Sequence, residues 1–195
     1  MRGSKLLVVL LLGGSLSGCG YNRIQSLDER AEQAKSNIGV QLTARNQLIP
    51  NMVATVQGAA EFERGTFTGV AQARAGLQQA GTQVEQAVQS GDVEQISAAD
   101  AQLTGQFRNF INIAVEAYPQ LSATQNFRAL QDQLAESENR IAVARQDYNQ
   151  TVQEYNTYVR SFPQAVTARV IGAERKQPYQ APAGSEQAPT VSFPG

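Results

Sequence analysis

The stretch TQNFRALQDQLAESENRIAVARQDYNQTVQEYNTYVRS, residues 124–161, holds the longest unbroken helical pattern in the chain and decides the fold. Phe127, Leu130, Leu134, Ser137, Ile141, Ala144, Tyr148, Thr151, Tyr155, Tyr158 and Phe162 recur at spacings of three and four. Only Ser137 and Thr151 break the apolar character of that face. Val152 and Val159 widen it beyond the narrow seam of a two-stranded coiled coil, so this helix needs two neighbours.

Working outward, the preceding helix is read over Val93 to Ala117. Ile96, Leu103, Phe107, Phe110, Ala114 and Ala117 face inward, Asp92 is its cap and Pro119 its stop. Ser122 followed by Gln125 has capping-box spacing for the long helix. Near the N-terminus, Ile24, Leu27, Ala31, Ala34, Ile38 and Leu42 repeat at helical spacing. At Leu48-Ile49-Pro50 two readings compete. In one, a single kinked helix runs from Tyr21 to about Ala80, ~90 Å at 1.5 Å per residue. In the other, a tight turn with Asn46 in the left-handed region separates helix 1 from a helix 2 over Pro50 to about Ala80. The turn is the expected one, because it gives helices of comparable length. Residues 81–91 read as a loop or frayed end. After Phe162-Pro163 a short amphipathic turn through Ala165, Val166, Ala168, Val170 and Ile171 precedes Gly172. From Ala173 to Gly195 the Pro/Gln/Ala-rich composition predicts a disordered tail, within which Val191 to Phe193 are candidates for local docking. The predicted architecture is all-α, an antiparallel up-and-down four-helix bundle over residues 19–172.

Composition removes whole classes of function. With no His and one Cys among 195 residues, zinc sites, His-ligated haem and Ser-His-Asp or Cys-His catalysis are unavailable. No cofactor or metal site is expected. Arg2 and Lys5 form a positive n-region, Leu6 to Leu12 an apolar run, and residues 13–18 a small, turn-prone stretch, the pattern of a secretory leader. The apolar run is far shorter than the ~20 residues of a membrane span. Without that leader, 14 of the 16 basic side chains face 17 acidic ones, which leaves no basic footprint for nucleic acid. Leu16-Ser17-Gly18-Cys19 resembles the lipobox of bacterial lipoproteins. That resemblance implies removal of residues 1–18 and acylation of Cys19, and Gly20 in place of an aspartate favours the outer membrane by the enterobacterial pattern.

Gly58, Gly65, Gly69 and Gly76 fall on the predicted outer face of helix 2, each costing ~1 kcal/mol against Ala. They are either a neutral surface or a bare strip for a partner helix. Tyr148 and Tyr155 are expected to fill core with satisfied hydroxyls, and Asn149 and Asn156 to bond a neighbouring helix, with Arg145 and Glu138 in the same polar network. The competing reading is a recognition stripe.

Tyr21-Asn22, the run VQLTARNQLIPNMV over Val40 to Val53, Glu63, Arg74, VEAYPQL over Val115 to Leu121 and ENRIAVARQDYN over Glu138 to Asn149 resemble the LemA family of bacterial envelope proteins. Tyr155-Asn156 and Phe162-Pro163 extend the match. The resemblance implies a four-helix up-and-down bundle and no catalytic residues. It departs at the anchor: the family pattern has an N-terminal transmembrane helix where this chain has a lipobox. Three functions are open on these grounds: an interaction module that binds another envelope protein at the membrane surface, a carrier of apolar molecules, and a carboxylate hydrolase using Glu61, Glu63, Glu116, Glu136 or Glu138. The first is expected, since acids beside Arg74, Arg140 and Arg145 form ion pairs more often than active sites.

Overall fold

A computed structural model describes residues 2–60 and 68–180, with side chains over 20–58 and 68–180. The order is α1 Arg2–Asn46, α2 Leu48–Ala60, α3 Thr68–Ser90, α4 Val93–Ala117, a 3-10 turn Pro119–Ala123, α5 Gln125–Arg160 and α6 Gln164–Ile171. No strand occurs among the described residues, and no helix among them is long and apolar enough to cross a membrane.

The helix ends have local causes. Gly91 closes α3 with φ 69°, and Asp92 opens α4 by accepting from the amides of Glu94 (2.8 Å) and Gln95 (3.2 Å). Pro119 stops α4 by pushing Tyr118 out of helical geometry (φ −132°, ψ 77°) and starts the 3-10 turn. Ser122 is carried into that turn, where its hydroxyl donates to the Pro119 carbonyl, so it does not cap α5. Thr124 does, accepting from the Phe127 amide at 3.4 Å. Gly172 (φ 71°) ends α6, and the Ala173 amide reaches back to the Ala168 carbonyl at 2.9 Å, a Schellman closure.

The chain forms two compact units, Met1–Ile38 with Val143–Pro178 and Gly39–Ala142 with Tyr179–Gly195. In the first, Ile24 and Leu27 of α1 cluster with Tyr155 and Val159 of α5 and Ala168 of α6. Arg30 bonds Glu154 at 3.3 Å on the surface of the same unit.

In the second unit α3 and α4 form an antiparallel hairpin, with Gly76 opposite Gln106 and Gly69 opposite Ile113. The end of α1 runs against α3 in the opposite sense, Gly39 beside Val88 and Asn46 beside Gly81 and Glu85. The expected reversal at Pro50 does not occur. The chain passes Asp100 of α4 at Arg45, and α2 then packs on the 3-10 turn beyond the far end of α4, so its direction is kept. The break is a single residue, Gln47, whose amide still bonds the Thr43 carbonyl at 3.2 Å. Asn46 is not left-handed, since no described non-glycine residue has positive φ. Pro50 sits in the first turn of α2, where its missing N–H leaves no bond unmade. Ile49, Met52, Val53 and Val56 then bury one face.

Two further expectations are corrected. Residues 81–90 are helix, because Ala80, Gly81, Val84 and Ala87 continue the buried stripe of Ala73 and Leu77. The span expected as helix 2 is described as α2 and α3, which pack on each other, with residues 61–67 outside the described residues. On α5, Phe162 lies past the helix end and is 87% exposed, while Val152 and Val159 are buried and Leu134 only partly.

Candidate functional site

Two polar centres stand out, one in each unit. In the second unit, Arg45 follows Ile38 and Leu42 in the core register of α1 and is fully buried. Its Nη2 donates to Asp100 Oδ1 at 2.7 Å, and its Nη1 to Glu138 Oε1 at 2.5 Å and Thr104 Oγ1 at 3.0 Å. The Phe107 ring lies beneath the guanidinium, 6.0 Å from its carbon to the centroid. Asp100 is buried too, and its second oxygen accepts from the Tyr179 hydroxyl at 2.5 Å. Next along the chain, Asn46 donates to the Gly81 carbonyl (3.1 Å) and Glu85 (2.9 Å), locking α1 to α3.

In the first unit the centre is Lys176. Its ammonium bonds Glu32 Oε1 at 2.8 Å and Asp28 Oδ1 at 3.0 Å and lies 5.5 Å from the centre of the Tyr155 ring. Asn156 takes its backbone from both sides, accepting from the Lys176 amide (2.9 Å) and donating to the Lys176 carbonyl (2.8 Å). Tyr148 donates its hydroxyl to the Gln177 carbonyl at 2.9 Å. Burial alone would lower the Lys176 pKa, but the bonds from Glu32 and Asp28 outweigh it and hold it above 10.5. Burial likewise tends to raise Glu32, yet Lys176 and Lys35 bring it below 4.5. Burial pushes the hydroxyls of Tyr148 and Tyr155 above 10.0.

These contacts set residues 173–180 apart from the disordered tail expected there. Lys176 is clasped in the first unit. In the second, Tyr179 is buried and Ser97 donates to the Gln180 carbonyl at 2.6 Å. Residues 181–195, with Val191 to Phe193, lie outside the described residues. Asn156 thus bonds a non-helical segment where a neighbouring helix was expected, and Tyr148 satisfies its hydroxyl on the same segment. Arg145 and Asn149 are half-buried on α5 in the same unit, whereas Glu138 belongs to the Arg45 centre of the other unit.

The four glycines do not make one strip. Gly58 faces open space on α2. Gly69 and Gly76 sit on α3, where a Cβ would meet Ile113 at 3.7 Å and Gln106 at 2.9 Å of α4. Gly65, Glu61 and Glu63 lie outside the described residues, as do the side chains of the leader and Cys19, through whose backbone α1 runs. Glu136 pairs with Arg140 along α5, and Glu116 is exposed. Two further close approaches belong to glycines outside that set. A Cβ on Gly81 would come within 2.5 Å of Asn46 Oδ1 and 2.8 Å of Ile49 Cδ1, and one on Gly39 within 2.9 Å of Val88 Cγ1.

Arg45-Asn46 and Glu138 thus lie at the polar centre within the second unit and Tyr155-Asn156 at that within the first, and a family model described as the LemA family matches residues 34–193, which contain all of them. The chain belongs to the LemA family. It is also similar to the magnetosome proteins MamQ 2 and MamQ 1 of Paramagnetospirillum magneticum, 27% identical over 180 residues, covering 84% of this chain. MamQ of Magnetospirillum gryphiswaldense is 25% identical over the same length. The chain spans 66% of the length of these relatives. Within this LemA family chain, sequence reading missed Arg45, Asp100, Lys176 and Tyr179. A signal for the first two existed: Ile38-Leu42-Arg45-Ile49 and Ile96-Asp100-Leu103-Phe107 both place one charge, of opposite sign, at helical spacing on a core face.

Proposed function

We propose that this protein is a lipid-anchored, non-enzymatic helical module of the bacterial envelope, acylated at Cys19 and facing the periplasm, with the outer membrane as its address. In this reading its helices form an up-and-down four-helix bundle that binds another envelope protein close to the lipid surface. The observation that carries the reading is where the polar chemistry goes. Arg45, Asp100 and Glu138 hold one another, while Tyr148, Asn156 and Lys176 hold the chain's own C-terminal segment. Side chains committed to internal joints specify a rigid surface, which is what an interaction module presents.

The test has two steps. Cells fed a clickable palmitate are compared as wild type and Cys19→Ala, and label is expected in wild type alone. A flexible Gly/Ser linker of about twenty residues inserted after Gly20 then lifts the domain tens of Å from the bilayer. Crosslinked partners are expected to be lost with the linker. Equal labelling of both proteins rejects the anchor, and unchanged partners reject the requirement for the lipid surface.

A further inference from the structure

Of the six large hydrophobic side chains exposed among the described residues, four lie at one end of the first unit: Tyr21 at 46%, Phe162 at 87%, Val166 at 59% and Val170 at 80%. Isolated exposed apolar residues are ordinary, but a contiguous set marks an interaction surface. Their spacing explains the grouping. On α6, Ala168 and Ile171 turn inward to the α1–α5 cluster, which sends Val166 and Val170, four apart, outward together. Phe162 lies outside the helix, two residues before α6 begins, and is the most exposed of the four.

Two observations say what covers this face. The first is charge. From Arg160 to Ala173 there are two basic side chains, Arg160 and Arg169, both exposed, and no acidic one. Arg23 is exposed on α1 two residues beyond Tyr21. The nearest acids in sequence are Asp28, which is paired with Lys176, Glu29, Glu154, which is paired with Arg30, and Glu174. The second is position. A Cβ on Gly20 would lie 3.5 Å from Thr167 Oγ1 and 3.9 Å from Gln164 Cγ, so α6 is packed beside the residue that follows Cys19. Exposed aliphatic and aromatic groups with exposed arginines close by in sequence, at the end of the unit where a lipid would be attached, match an anionic bilayer interface.

We infer that Phe162, Val166 and Val170 dip into the membrane interface while Arg160, Arg169 and Arg23 engage anionic headgroups, giving the protein a second membrane contact besides the lipid. This deepens the envelope reading and rests on it for the presence of a bilayer. The contact fixes the tilt of the first unit on the surface, which a lone acyl anchor leaves free.

The chain has no tryptophan, so Val166→Trp and Val170→Trp each supply a lone reporter. Val143→Trp, at a residue 67% exposed on α5 in the same unit, is the aqueous control. The full-length variants are reconstituted into vesicles of phosphatidylcholine, with or without phosphatidylglycerol, that contain brominated lipid as a shallow quencher. Quenching at 166 and 170 is expected to exceed that at 143 severalfold. Arg160→Glu with Arg169→Glu is expected to cut the immersed fraction about fivefold or more in the phosphatidylglycerol vesicles. Emission at 166 and 170 as unquenched as at 143 overturns the inference. Quenching indifferent to phosphatidylglycerol and to charge reversal overturns the headgroup contact. The intact mass of the same preparations reads acylation of Cys19 separately, so an absent lipid counts against the anchor and leaves the patch to be judged by its quenching.

Discussion

At the scale of single residues, Arg45 carries the sharpest energetic consequence. Its guanidinium is fully buried against Asp100, so removing it strands a buried carboxylate. Arg45→Met is expected to cost about 3–5 kcal/mol in urea unfolding, the penalty for breaking a buried pair from one side. Arg45→Met with Asp100→Leu is expected to recover most of that loss, since an apolar pair needs no counter-charge. A double variant no more stable than the single one would mean the pair contributes specific structure that packing cannot replace. Tyr179→Phe removes one hydrogen bond to the same carboxylate and is expected to cost about 1.5–3 kcal/mol in the same measurement.

Among the elements, α5 shows how far a sequence pattern can be trusted. Its stripe named Phe127, Leu130, Ile141, Ala144, Tyr148 and Tyr155 as core, and all are buried. Periodicity does not report where a helix stops, so Phe162 was counted with the stripe although it lies beyond Arg160. Ile141→Ala is expected to cost about 2–5 kcal/mol, whereas Leu134→Ala, at a half-buried position, falls at the bottom of that range or below. Equal losses from the two would show that the stripe is buried evenly. Residues 81–90 of α3 were misread because Gly, Gln and Ser obscured a stripe that Ala80, Val84 and Ala87 continue. Gly81 leaves space for its neighbours: helix propensity favours Ala by ~1 kcal/mol, but a Cβ would force Ile49 and the hydrogen-bonded Asn46 amide to shift. Gly81→Ala is therefore expected to lower the melting temperature, contrary to propensity.

For the whole molecule, fold class and family were legible, because periodic apolar faces and spaced motifs survive in one dimension. The clasped C-terminal segment was not. An extended, proline-flanked run has no period, and its burial depends on Asn156 and Asp28 meeting Lys176 through tertiary structure. The pH response of the protein follows from that clasp. The lowered Glu32 pKa means its contribution is present above 4.5 and is lost as pH falls through its folded value. The raised Lys176 pKa means its contribution is complete below 10.5 and is lost as pH rises through the higher folded value. No histidine titrates in between. Melting temperature is expected to be flat from about pH 5 to 9 and to fall on both sides, and Lys176→Met is expected to flatten both shoulders. A midpoint near neutrality would contradict this account.

The burial of Tyr148 and Tyr155 gives the clasp an optical signature. Without tryptophan, the near-ultraviolet absorbance of the chain belongs chiefly to its six tyrosines, and phenolate formation shifts that band to longer wavelength. Both rings flank the clasped segment and ionise above 10.0, the side on which Lys176 also lets go. Release of residues 176–177 in base therefore announces itself as a late, steep rise in phenolate absorbance, and the protein reports its own unclasping with no label attached.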